Sequence, residues 1–233
     1  RGEPGRPRTR SPGRDPGRLQ RRSSLPRIGV TDAARIPART IAVLLAGGRS
    51  QRMGRCKQTL PWSREGRPTT VVAAAYDTVA AVSDEVVVTV GRHATDIIDA
   101  LEGRPATIVD VDPDGTMLDS ARAGIRAALA ADAGRIVLHL SDHPAVATTT
   151  VRHLVDAAEE ADYVHPRRGD RGGHPVVLSR AIASCILEAS LPDGLRSARD
   201  LPGFRIKAVD LDDAGVQIDL DTPEDWRDGT PSA

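Results

Sequence analysis

The sequence predicts an α/β fold, a mostly parallel sheet with helices on both faces. Short β-branched runs alternate with Ala-rich stretches of helical length from residue 40 onward, the order that crossover helices between parallel strands produce. The run Ile41–Leu45, and Glu85–Val90 after its first residue, are continuously apolar or β-branched rather than alternating, as strands buried on both faces must be. A chain of 233 residues is also long enough to bury a sizeable core as one large or two small domains.

Each element follows from local chemistry. Ile41–Leu45 ends in Gly47-Gly48, and Glu85–Val90 ends at Gly91, so both read as strands. Thr69–Val82 is of helical length, and Thr95–Leu101 reads as a short helix capped by Thr95. Ala106–Val111 is a third strand, Leu118–Ala131 a helix and Arg135–Leu140 a fourth strand. Thr148–Glu159 is helical, with threonines available for its cap. Beyond it the order loosens. Tyr163–Pro166 and Pro175–Leu178 are short strands around a Gly-rich turn, and Arg180–Ala189 is a helix. Arg205–Leu211 and Val216–Leu220 read as strands, and Thr222–Trp226 opens a last helix with Thr222 at the cap and Pro223 in its first position.

Charge is unevenly spread. Lysine plus arginine equals aspartate plus glutamate at 32 each. Yet residues 1–39 hold eleven arginines against Glu3, Asp15 and Asp32, a net +8, which leaves −8 for the remainder. This first stretch, rich in Arg and Pro, reads as a disordered solvated tail rather than the alternative, a nucleic-acid-binding arm, because Pro, Gly and acids interrupt its charge. Residues 40–228 are then the working domain and 229–233 a second tail. No run of about 18 apolar residues is present, which argues against a transmembrane helix. No apolar h-region stands near residue 1, so no ordinary secretory signal is expected. Cys56 and Cys185 are too few and too far apart for a disulfide framework or a zinc ribbon. A reducing, cytoplasmic setting is the expectation. Five aromatics (Trp62, Tyr76, Tyr163, Phe204, Trp226) do not supply a stacking surface for nucleic acid.

Four segments place unusual polar residues after strands, where open α/β sheets bind ligands. The first is Leu45-Ala46-Gly47-Gly48-Arg49-Ser50-Gln51-Arg52-Met53-Gly54-Arg55-Cys56-Lys57. Its glycines let backbone N–H groups approach a ligand, and its cations can neutralise phosphate. Five residues separate Gly48 from Gly54 and Arg55 follows, so it is not a Walker A loop, and it holds no G-x-G of a dinucleotide fingerprint. Lys57 is one of only two lysines in an Arg-dominated chain, which marks it as a point charge rather than a default cation. The second segment, Ser141-Asp142-His143-Pro144, offers either a Mg²⁺-binding carboxylate or an Asx turn. The third, Asp219-Leu220-Asp221-Thr222-Pro223-Glu224-Asp225, puts Asp219 and Asp221 on one side of an expected strand. The fourth, Gly169-Asp170-Arg171-Gly172-Gly173-His174-Pro175, is either a plain turn or a substrate loop, and His174 alone is as compatible with structure as with catalysis.

Together these segments resemble the MobA-like nucleotidyltransferases, and within them the molybdopterin cytidylyltransferase branch. That family opens with a strand and L-A-(A/G)-G-x-S-x-R-M-G-x-x-K, matched here by Leu45 to Lys57 and followed by Leu60-Pro61. The branch carries D-x-P, G-H-P and D-x-D-T-P-E-D, matched by Asp142–Pro144, Gly173–Pro175 and Asp219–Asp225. Gly115–Ser120 is similar to the loop and helix start after the third strand. His143 stands where that branch usually has Gln, and the G-D-x-G-x-R segment survives only as Asp193-Gly194-Leu195-Arg196.

The resemblance implies a Rossmann-like three-layer α/β/α sandwich with a mostly parallel mixed sheet, the nucleotidyltransferase fold. It implies that Leu45, Ala46, Gly47, Gly48, Arg49, Ser50, Gly54 and Ser120 bind an NTP. By the same resemblance Arg52 and Lys57 offset phosphate charge, Asp142 and Asp221 hold Mg²⁺, and Gly173, His174, Pro175 and Asp219 face the acceptor. CTP is the favoured nucleotide and a phosphorylated pterin, molybdopterin, the favoured acceptor. A molybdoenzyme or its chaperone is the protein partner so implied. Guanylyl transfer, another phosphorylated acceptor and a nucleotide-sugar glycosyltransferase are the alternatives. The last needs D-x-D at a strand end, where this chain has Ser141-Asp142-His143. A non-catalytic nucleotide-binding protein would show eroded motifs, and Arg52, Lys57, Asp142 and Asp221 are all present.

Overall fold

The computed structural model describes residues 2, 38–48, 56–64, 66–220, 222 and 226. Nearly all of the expected tails, Arg49, Ser50, Arg52, Gly54 and Asp221, and most of the last expected helix, lie outside these described residues.

Strand β1 (Thr40–Ala46) is the centre of the sheet. It pairs in parallel with β4 (Glu85–Val90) on one side and with β6 (Arg135–Leu140) on the other. β5 (Thr107–Asp110) adds in parallel to β4. Past β6 the sheet turns antiparallel through β9 (Val176–Ser179) and β7 (Tyr163–Arg168). β10 (Ile206–Asp210) then closes the edge in parallel with β7, and the short β8 (Arg171–Gly172) folds back on β7. The order is β10-β7-β9-β6-β1-β4-β5, a mostly parallel mixed sheet as expected.

Burial explains why β1 reads as a continuous apolar run. Ala42, Leu44 and Ala46 enter one apolar cluster with helices α1 (Val71–Ala80), α2 (Ala94–Ala100) and α4 (Thr148–Ala157). Ile41, Val43 and Leu45 enter the other, with α3 (Met117–Ala130) and α5 (Arg180–Glu188). Successive side chains of a strand point to opposite faces, so both registers of β1 are core.

The elements differ from expectation where a tertiary partner replaces a local one. Thr95 lies inside α2 rather than capping it; His93 holds the cap position without a side-chain hydrogen bond. The threonines of α4 do not cap it either, and Ala147 occupies that position. Thr70 and Thr116 do cap α1 and α3, the latter in a reciprocal capping box with Asp119. Val216–Leu220 is not a strand: Ala214–Gln217 forms a 3₁₀ turn, and no regular element follows at residues 218–220. Asp219 is therefore not placed by strand alternation. An antiparallel hairpin, β2 (Pro61–Arg64) with β3 (Arg67–Thr70), was not expected and stands between the Gly-rich loop and α1. Among the described residues, no helix is long and apolar enough to cross a membrane.

Candidate active site

β1 leads to β4 and β5 in one direction, and β6 reverses the order on the other side. Parallel α/β sheets bind ligands at such a switch point, beyond the carboxyl ends of the strands. The structure has a cleft of about 220 Å³ there. Leu45, Gly47 and Gly48 from the end of β1, Thr116 and Ser120 from the start of α3, and Asp142 after β6 line it. Ala46 is buried in the core beneath. A Cβ on Gly47 would stand 3.0 Å from Val111 Cγ2 and 3.3 Å from Ser120 Oγ, so the glycine keeps this wall thin.

Lys57 reaches the same cleft from a different element. The 3₁₀ turn Lys57–Thr59 is held from below by Gln58, which is 1% exposed and accepts a hydrogen bond from Cys56 Sγ at 3.4 Å. After it, Leu60 and Trp62 bury against Val71, Ala74 and Leu220. Arg64 donates to Ala74 O and to Thr148 Oγ1, both at 2.7 Å, and so ties the hairpin to α1 and α4. On this support Lys57, 8% exposed, places Nζ 2.6 Å from Asp142 Oδ2. Two residues 85 positions apart, both selected from sequence, meet as an ion pair across the cleft.

A line of imidazoles lies beside Asp142. The His139 and His143 ring centroids are 6.2 Å apart, and those of His143 and His174 5.9 Å. Burial depresses the His139 pKa well below the ordinary histidine value, and the neighbouring His143 and His174 add to it. Burial first, and then His143, brings His174 down to about 4, against a smaller upward pull from Asp142. The His139 and His174 rings are therefore neutral near pH 7.

On the far side of the Gly173–Pro175 loop lies a second basin of about 400 Å³. Gly173 and His174 line it together with Arg171, Arg196, Arg199 and Tyr163. Burial pushes the Tyr163 hydroxyl up to about 12, so it stays a proton donor. The basin carries three guanidiniums against the single carboxylate of Asp170, a charge balance that suits an anion. Arg171 lies in the Gly169–Pro175 segment that the sequence offered as a turn or a substrate loop, and the partial motif Asp193–Arg196 holds Arg196, whereas the sequence did not mark Arg199, Tyr163 or the buried His139 as site residues.

Pro175 is buried beneath the basin. Asp219 is exposed and lines neither cavity. Among the described residues no group of three or more His, Cys, Asp or Glu could hold a metal ion. Asp142 supplies hard carboxylate oxygens on the cleft wall, a fit to Mg²⁺, which commonly takes one or two protein carboxylates and completes its shell with phosphates and water.

A Gly-walled cleft at the switch point, a Lys–Asp pair across it and a basic basin beside it define a nucleotide-binding α/β protein of transferase type. Residues 42–206 match the MobA-like NTP transferase domain, and the chain belongs to that family and is a nucleotidyltransferase. It is similar to Rv0371c from Mycobacterium tuberculosis H37Rv, with 30% identity over 84% of this chain and 100% of that one, at a TM-score of 0.69. A nucleotidyl transferase from Methanothermobacter thermautotroptrophicus is 25% identical over 82% of this chain and 95% of that one, also at 0.69. A 4-diphosphocytidyl-2C-methyl-D-erythritol synthase from Anaerococcus prevotii, 19% identical over 81% of this chain and 95% of that one at a TM-score of 0.61, shares the fold. No curated protein matches the chain.

Proposed function

We propose that the protein transfers a nucleoside monophosphate, favoured as CMP from CTP, to a phosphorylated small molecule, favoured as molybdopterin. The observation that carries this reading is the 2.6 Å contact between Lys57 and Asp142 across the switch-point cleft. It sets a point cation and a hard anion on one polyphosphate-sized cleft.

The NTP lies along Gly47, Gly48 and Ser120, where backbone N–H groups can meet its phosphates. Asp142, with Asp221, would hold Mg²⁺; Rv0371c has been solved as a complex with manganese. When bound, that cation supplies Lewis-acid charge at the α-phosphate. Lys57 moves its ammonium from the Asp142 carboxylate to the polyphosphate, and Arg52 shares that charge. The acceptor phosphate sits in the basin, held by Arg171, Arg196 and Arg199. One of its oxygens attacks the α-phosphorus and forms the new P–O bond. The bond from the α-phosphorus to the αβ-bridging oxygen breaks, and pyrophosphate leaves with the electron pair. Such transfers need positioning and charge neutralisation more than covalent help from the protein.

The cytidylyltransferase-type motifs at Asp142–Pro144, Gly173–Pro175 and Asp219–Asp225 favour CTP and a pterin acceptor. Because the basin takes Arg196 from an incompletely matched segment, transfer to another phosphorylated metabolite, or of GMP, is the second reading. The test is pyrophosphate release from each of the four NTPs, with Mg²⁺ and molybdopterin. Release with CTP supports the favoured pair. Release with GTP alone moves the protein to the second reading, and none with any NTP removes the pterin assignment. A thermal-shift panel of the same nucleotides ranks their binding without turnover.

A further inference from the structure

We propose that Asp213 is a positioning residue for the candidate site, acting through a strap of backbone, residues 213–220, that joins the Asp142 turn to the Gly173–Pro175 loop. Both Asp213 oxygens are engaged. Oδ2 accepts from Ala147 N at 3.0 Å and from Thr150 Oγ1 at 2.6 Å, and Oδ1 accepts from Gly215 N at 2.9 Å. The carboxylate thus caps α4 from outside, where Ala147 offers no side-chain cap. It also fixes the chain that continues from it.

That chain is pressed onto both halves of the site. A Cβ on Gly215 would stand 2.4 Å from Ala145 O, so the strap lies directly on the turn that follows Asp142. Val216 O accepts from His174 N at 3.2 Å, and a Cβ on Gly173 would come within 1.9 Å of that same oxygen. Leu220 N donates to Asp142 O at 3.1 Å. Leu220 is fully buried among Leu60, Trp62, Val71 and Ala74, the apolar base of the segment that presents Lys57. One strap therefore contacts the supports of Asp142, Lys57 and the Gly173–Pro175 loop, and Asp213 anchors its first residue. Asp213 lines neither cavity, so its influence passes through the backbone it holds.

The inference rests on the reading of Asp142 as a cation ligand, and the experiment separates the two. Full-length wild type, Asp142→Asn, Asp213→Ala and Asp213→Asn are titrated with Mn²⁺ in the presence of CTP and followed by electron paramagnetic resonance. The Asp142→Asn control tests the ligand reading: Mn²⁺ binding unaffected by it overturns that reading. With that control weakened as expected, Asp213→Ala raises the Mn²⁺ midpoint about tenfold, the size of an outer-shell effect on metal affinity. Asp213→Asn, which keeps one acceptor oxygen, recovers part of it. Hydrogen exchange in the same Asp213→Ala protein rises at residues 140–147 and 172–176 together and is unchanged in β4.

A helix-cap role alone is distinguished by Ala147→Ser in the Asp213→Ala background. The new hydroxyl restores the α4 cap and the melting temperature but not the strap, so the Mn²⁺ midpoint stays raised. Recovery of the midpoint along with the melting temperature overturns the proposal. So does faster exchange confined to the first turn of α4.

Discussion

The two cavities of this molecule are built in opposite ways. The switch-point cleft sits on the parallel half of the sheet, at the ends of β1 and β6, and its charge is one part-buried ion pair, Lys57 with Asp142. The basin sits on the antiparallel half, beside β7 and β9, and its charge is three arginines against one carboxylate, Asp170. A cleft that must hold a polyphosphate together with its cation gains from balanced charge, because each sign has work when the ligand arrives. A basin that takes a phosphorylated acceptor needs only the positive sign. The difference assigns distinct failures to the two regions, and variants in each should separate them.

The largest effect belongs to the cleft. Asp142→Asn should cut turnover about a thousandfold, as expected where one carboxylate's hold on a catalytic cation is worth several kcal/mol. It should also raise the metal concentration needed for half-maximal rate. An unchanged metal titration would remove Asp142 as a ligand. Lys57→Ala comes next, at about a hundredfold, the cost of one charge-stabilising donor. It carries a second signature. In the free protein the ammonium holds Asp142 Oδ2, so its removal should tighten Mn²⁺ binding in the absence of nucleotide. If turnover falls while nucleotide-free Mn²⁺ binding stays the same, the exchange of Lys57 between carboxylate and phosphate is wrong.

The basin should respond differently. Arg196→Ala and Arg199→Ala should each raise the acceptor KM about tenfold, the scale of one hydrogen bond to a charged group. The KM for the nucleotide and kcat should stay near wild type, which Asp142 and Lys57 variants cannot do. A rise in nucleotide KM instead would merge the two cavities into one binding site.

The cleft was legible in the sequence and the basin largely was not, for a physical reason. Gly47, Gly48 and Asp142 lie at the ends of strands whose apolar runs announce them, so a local pattern already places them on one edge of the sheet, and Lys57 follows the glycines within one sequence motif. Arg171, Arg196 and Arg199 come from a short returning strand and a 3₁₀ turn, Gly194–Asp200, that no periodicity predicts. The same holds for caps. Thr116 caps α3 from the adjacent position and is readable, whereas α4 takes its cap from Asp213, 66 residues away from the Ala147 amide it accepts. Val216–Leu220 has the alternation of a strand, yet it spends its backbone on Asp142 and His174 instead of a neighbouring strand. Local pattern sees propensity; it does not see which tertiary partner claims the hydrogen bonds.

The smallest effect is one of pH, and it too divides along the two regions. His139 belongs to the cleft side and His174 to the basin loop, and both have native pKa values below the ordinary 6.5, His174 at about 4. In the unfolded chain each takes a proton below about 6.5, while the native state keeps the ring neutral. The unfolded state then binds more protons, so stability falls as pH falls. The stabilisation is complete above about pH 6.5 and is lost as pH drops towards the native values, with a slope of at most ~1.4 kcal/mol per pH unit for each ring. Melting temperature should therefore be level from pH 8 to 7 and decline from pH 6.5 to 4.5. His139→Leu removes one of the two rings, and with it two buried polar nitrogens. It should preserve or raise the melting temperature at pH 7.5 and make the acid decline shallower. An equally steep decline in this variant would remove His139 as a source of the acid sensitivity.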